Sequence, residues 1–184
     1  MALGGGIPFA GLTFGLTKAV QAAGRAQEVQ RSFNAVFVET RDTMEQWAET
    51  VAREYGRVET NVRKLAATTG GVLKPAFDFT NEQLAKMTQG LGEAAVAMQA
   101  YDPRIDTAQQ AMEGFTQALI GNRQRVLEWG FQVRESQLKT KALEMGITDT
   151  KRALTQQEEA LVTYRAILNN TSIAQDVLAK SQQD

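Results

Sequence analysis

Between Arg25 and Thr68 apolar residues recur along a single stripe. It runs through Val29, Phe33, Val36, Met44, Trp47, Val51, Tyr55, Val58, Val62 and Leu65, with Thr40 in its one polar place. The steps are threes and fours averaging about 3.6, the period of a straight α-helix and not of a left-handed supercoil. Arg, Glu, Gln and Asn take the other faces. The pattern predicts one long amphipathic helix, about 65 Å at 1.5 Å per residue. The short helices that follow cannot cover all of that stripe. It is therefore expected to pack on copies of itself or on a further part of the protein, unless it is an ordinary bundle helix. The ten apolar residues form the candidate self-association face. Gly56 lies within the stripe, costs about 1 kcal/mol relative to alanine, and is expected at most to bend the helix.

Thr68-Thr69-Gly70-Gly71, followed by Lys74-Pro75, predicts the end of that helix and the best internal boundary. The chain then reads as a glycine-rich apolar segment (1–24), a long helix (25–70) and a smaller helical domain (71–184). Thr80 to Gln83 has the form of a capping box. The helix behind it carries Leu84, Met87, Leu91, Ala95 and Met98, with Gly90 and Gly92 permitting close packing. Asp102-Pro103 predicts the next helix start, with Ile105, Ala108, Met112, Phe115 and Leu119 on one face. Gly121, Gly130 and Gly146 each read as a helix end. Between them lie a short helix with Val126, Leu127 and Trp129, an extended Phe131–Val133 connector, and a helix capped by Ser136 with Leu138, Ala142 and Leu143 inside. Thr155 to Glu158 is a second capping box, ahead of Leu161, Tyr164, Ile167 and Leu168 at helical spacing. Asn169-Asn170 is expected to end or bend that helix, and Ile173, Val177 and Leu178 to continue its apolar stripe. The fold class expected is all-α: a long amphipathic N-terminal helix followed by a small multi-helix bundle.

Composition narrows the chemistry. The 184 residues carry a net charge of −1, so no global field draws the chain to nucleic acid or acidic lipid. There is no Cys and no His. Disulfides, thiolate zinc sites, cysteine nucleophiles and histidine bases are thereby excluded. Glu158 and Glu159 form the obvious carboxylate pair, but adjacent helical positions point about 100° apart and do not converge on one substrate. Arg123, Arg125 and Arg134 form a small basic cluster with no interleaved aromatics, which reads as a solvated face and not a specific nucleic-acid site. No catalytic, cofactor or metal residue is assigned, and an enzyme is the least supported class. Residues 2–17 are apolar and glycine-rich but shorter than the roughly 20 residues of a membrane span. No basic residue precedes Lys18, so a signal-peptide n-region is missing. That segment reads as a hinge, or, through Gly11 and Gly15, as a membrane or oligomer contact. Asn169 and Asn170 match a glycosylation sequon, discounted without a secretion signal.

One ordered set of phrases goes further. Ala118-Leu119 with Gly121 is followed by Trp129-Gly130, Glu135 with Leu138, and Met145-Gly146-Ile147. Then come Leu154-Thr155 with Gln157-Glu158 and Ala160, Tyr164 with Ile167-Leu168, and Thr171 with Ala174-Gln175-Asp176. The run resembles the conserved region of tailed-bacteriophage tail tape measure proteins, over roughly residues 75–181 and more loosely before that. The family often continues with an F-A-R-T-like phrase, where this chain has Val177-Leu178-Ala179-Lys180-Ser181. The resemblance implies a non-enzymatic structural tail protein, acting in tail assembly, length determination and genome ejection. It also implies a homo-oligomer in the tail lumen of the virion, assembled in the host cytoplasm, with tail tube, tail tip and assembly chaperone proteins as partners. A fully helical chain of this size reaches only about 280 Å, short for a ruler, which suggests a fragment, a truncated prophage product or a folded module of a longer protein. The alternative is a helical binding or secretion-associated adaptor that docks partner helices.

Overall fold

The computed structural model describes residues 10–148 and 152–181, with the side chains of 10–20, 178, 179 and 181 outside that description. Among the described residues there are eight helices and no strand: α1 (Ala10–Val36), α2 (Arg41–Glu54), α3 (Glu59–Ala76), α4 (Asn81–Tyr101), α5 (Ala108–Leu119), α6 (Gln124–Glu128), α7 (Glu135–Glu144) and α8 (Gln156–Ser181). The all-α expectation holds. The expected glycine-rich segment lies largely outside the described residues, as does the side-chain packing of Gly11 and Gly15. No described helix is long and apolar enough to cross a membrane.

The single long helix expected over 25–68 is replaced by three. The first break is Phe37–Thr40, where Phe37 is buried and its N–H still reaches Phe33 O. The second is at Gly56, whose φ is +59°. The Arg57 amide bonds back to Ala52 O at 2.8 Å, so two carbonyls left open at the end of α2 are met by Tyr55 and Arg57. This left-handed cap suits glycine, which has no Cβ to clash. Gly121, Gly130 and Gly146 close α5, α6 and α7 with the same backbone pattern, as expected from sequence. The chain turns back at Gly56 and the stripe folds onto itself.

The Thr68–Gly71 stop is likewise corrected, because α3 runs through it to Ala76 and crosses the expected boundary at 70–71. Gly70 is there for contact. A Cβ on it would lie 2.5 Å from Val36 Cγ1 and 2.8 Å from Phe37 Cζ. Pro75 falls in the last turn, where the helix is ending anyway. Lys74 Nζ donates to Val36 O and closes the end of α1.

The centre of the bundle is α4, which packs on α8 most extensively and also on α5, α3 and α2, while α1 packs on α3. Leu84, Met87, Leu91, Ala95 and Met98 are all buried, as the periodicity predicts. The Thr80–Gln83 and Thr155–Glu158 capping boxes both form. Three other helix signals resolve differently. Asp102 ends α4 and accepts from Arg104, so α5 starts later, capped by Thr107 Oγ1 accepting from Gln110 N. The cap position of α7 is Arg134, whose amide donates to Gln137 Oε1, and Ser136 lies within the first turn. Asn169-Asn170 does not interrupt α8; Asn170 Nδ2 donates to Ala166 O along the helix. The buried stripe of α8 continues through Thr171 and Ala174, which leaves Ile173 and Val177 exposed. Leu143, expected on the inner face of α7, is also partly exposed, as is Leu127 of α6.

A candidate interaction cleft

The stripe residues do not form one free face. Phe33, Met44, Val51 and Val62 are buried in the shared core, and Val36, Trp47, Tyr55 and Leu65 pack against it. Val29 is partly covered, and Val58 is 63% exposed. Folding back at Gly56 brings the second half of the stripe opposite α4. What stays uncovered is a cleft of about 290 Å³ between α2–α3 and α4–α5. Trp47, Val51, Val58, Val62 and Leu65 all line it, together with Val96 of α4. Five of the ten face residues thus line one concave site, Val51 and Val62 among them from within the core, and most of the others are spent on internal packing.

Local choices shape the cleft. The Trp47 indole lies on Gly92, where a Cβ would come within 2.7 Å of Cζ2. Its Nε1 donates to Glu93 Oε1 at 3.1 Å, which fixes the ring plane. At the other end Gln99 joins α4 to α5, accepting from Ala108 N and donating to Asp106 O. The glycine cap places Arg57 and Val58 beside the cleft. Arg63 of α3 holds that helix against α2 by binding Glu45, and also pairs with Glu59 one turn earlier on α3.

Arg57 and Lys64 are the charged residues among the described lining of the cleft, and Glu93 adjoins it through the Trp47 indole. Arg57 Nε is shielded from water and has no hydrogen-bond partner. Burial raises the Tyr55 hydroxyl above its ordinary pKa, with Glu93 and Glu54 adding to the effect. The arrangement suits an apolar segment. Sequence reading did not find Arg57, Lys64, Gln99 or Gln109 as cleft residues, because they meet only when two pairs of helices pack.

The other chemical candidates are committed elsewhere. Glu158 is held by the Arg152 guanidinium and the Thr155 amide, which lower its pKa to about 2. Glu159 faces Arg123 at 2.6 Å. The two carboxylates therefore diverge, as their helical spacing requires. Among the described residues, no group of three or more acidic, His or Cys side chains is placed to hold a metal ion. No protein-family model matches the chain, and neither a curated protein nor a solved structure matches it.

Proposed function

We propose that this chain is a structural, non-catalytic helical module of a tail tape measure protein of a tailed bacteriophage. Its work lies in tail assembly, length determination and genome ejection, in the tail lumen, alongside tube, tip and chaperone proteins. The observation that supports this reading is where the resembling phrases fall. Gly121, Gly130 and Gly146 are the left-handed residues that close α5, α6 and α7. Thr155 and Glu158 cap α8, and Leu138, Ile167, Thr171 and Ala174 are buried. The phrases therefore coincide with consecutive turns and packing positions of one folded unit. The test is an in-frame deletion of residues 10–181 in a phage or prophage that encodes the chain, with particles imaged by electron microscopy. Missing tails or tails of altered length are expected. Particles of normal tail length and full infectivity would overturn the reading.

The adaptor reading is favoured by one observation: the stripe is largely satisfied within the chain and leaves a cleft of a size for a few side chains. A stable monomer with one defined heteromeric partner would distinguish it.

A further inference from the structure

We infer that α1 is an exchangeable arm, and that two copies of this chain trade it in a reciprocal dimer. In the dimer Val38–Thr40 straighten, α1 and α2 join as one helix, and each α1 takes the seat at Gly70 on α3 of the other copy. The occupant of that seat is fixed by the structure, because the same turn of α1 fills it within one chain. Phe33 and Phe37 are buried there, and Val36 and Phe37 leave no room for a Cβ on Gly70. This turn is the anchorage of α1: among its described side chains, none from Gln21 to Ser32 is buried. The helix packs on α3, so it can leave and be replaced as a unit.

The hinge is what opens this route. Gln30 of α1 donates to Glu45 of α2, so the chain doubles back between them. Yet Phe37-Val38-Glu39-Thr40 holds no glycine or proline, and none of the four has a positive φ. Thr40 heads α2 without a side-chain cap bond, and its hydroxyl is buried with no hydrogen-bond partner. A continuous helix would offer that hydroxyl the Val36 carbonyl, four residues back. The phase agrees. Phe33, Phe37, Met44, Ala48 and Val51 are buried and follow at steps of 4, 7, 4 and 3, so a straight helix carries them on one face. The α2 half of that face stays on its own α3 and α4, and the α1 half reaches the partner's α3. Such a helix, from Ala10 to Glu54, is about 70 Å long at 1.5 Å per residue. What bends it is the seat on α3, which a second copy supplies equally well. Exchange of an identical element between protomers is a low-cost route to a dimer. Both forms share the α1–α3 contact and differ at the hinge. Phe33 and Phe37 must leave the core to pass between them, so the forms interconvert slowly.

The chain has no Cys, so introduced thiols report without background. A Cβ on Gly71 would lie 4.0 Å from Val36 Cγ2, within reach of a cross-link. Val36→Cys chains are mixed with Gly71→Cys chains, unfolded in urea, refolded together at high concentration and oxidised. A covalent heterodimer is expected on a non-reducing gel, in yield well above that of either variant alone, because only an exchanged arm holds the two positions together. The double variant, Val36→Cys with Gly71→Cys, oxidised in dilute solution, locks α1 at home. By sedimentation velocity it should stay monomeric where the wild-type chain, refolded in the same way, dimerises. Val38→Gly with Glu39→Gly changes two exposed hinge positions and lowers helix propensity there, and is expected to weaken dimerisation at least about tenfold. A wild-type chain that is monomeric at every concentration overturns the exchange. So does a dimer without the mixed cross-link, one that the locked chain still forms, or one indifferent to the hinge glycines. The inference does not rest on the tail-protein reading, and particle imaging leaves it untouched, so the two fail separately.

Discussion

Glycines inside helices act in this protein as seats for side chains from elsewhere. Gly92 receives Trp47, Gly114 receives Trp129, Gly90 receives Tyr164 and Gly70 receives Val36 and Phe37. Gly92→Ala gains about 1 kcal/mol of helix propensity. It also pushes a methyl to 2.7 Å from the indole, an overpacking cost of about 1–3 kcal/mol. The net expectation is destabilisation in urea unfolding, with a shift of tryptophan emission. Gly24 in α1 has nothing within 4 Å of a built Cβ. Gly24→Ala should therefore stabilise the chain by up to about 1 kcal/mol. If both substitutions move stability in the same direction, the seat explanation is wrong. The sequence marks Gly90 and Gly92 as weak points suited to close packing, but cannot say which side chain arrives.

Helix ends carry the next level of organisation. Gly56 has open space around a built Cβ and a φ of +59°. Gly56→Ala thus isolates the backbone cost of a left-handed alanine, about 1 kcal/mol. A drop of about 2–4 °C in thermal midpoint is expected for a chain of this size. No drop would mean that α2 and α3 can rejoin as one helix without cost. At the start of α8, Glu158 is held at about 2 by Arg152 first and by the Thr155 amide next, against an ordinary 4.5. The folded value lies below the unfolded one. Its stabilisation is full above the ordinary value and is lost as pH falls through about 2. Asp102, lowered by its hydrogen bond from Arg104, acts with the same sign. Glu158→Gln should flatten part of the fall in thermal midpoint between about pH 4.5 and pH 2. An identical pH profile in the variant would show that the cap does not contribute. Capping boxes and the three later glycine stops were legible because each is settled by residues within one turn. The Gly56 stop was not, because the apolar stripe keeps its period across the break.

On the scale of the molecule, residues 33–73 and 84–174 contribute to one core. Phe33, Met44, Val62, Ala66 and Leu73 are buried in the same cluster as Leu91, Met112 and Ile167. α3 crosses residue 70 without interruption, and it contacts both α4 and α5. A chain cut to 71–184 therefore loses most of α3 and uncovers the α4 face around Gly92. Calorimetry should find no cooperative transition for that piece, where the whole chain gives one. A sharp transition in 71–184 would restore the independent domain that the boundary residues suggested. Partial exposure of the stripe has the same origin: half of it is consumed as the interface that joins α1–α3 to the rest.

By itself the sequence determined that the chain is helical, the capped starts of α4 and α8, the glycine ends of α5, α6 and α7, and the inward face of α4. Those are local matters, decided by propensity, capping and the spacing of apolar residues within a few turns. Only the tertiary structure decided that the Arg25–Thr68 stripe folds back on itself and that a cleft opens where Trp47 meets Gly92. It also decided that Ile173 and Val177 face outward. An apolar stripe records that a face prefers to leave water; which face it meets depends on contacts between residues far apart in the chain, and no local pattern encodes them.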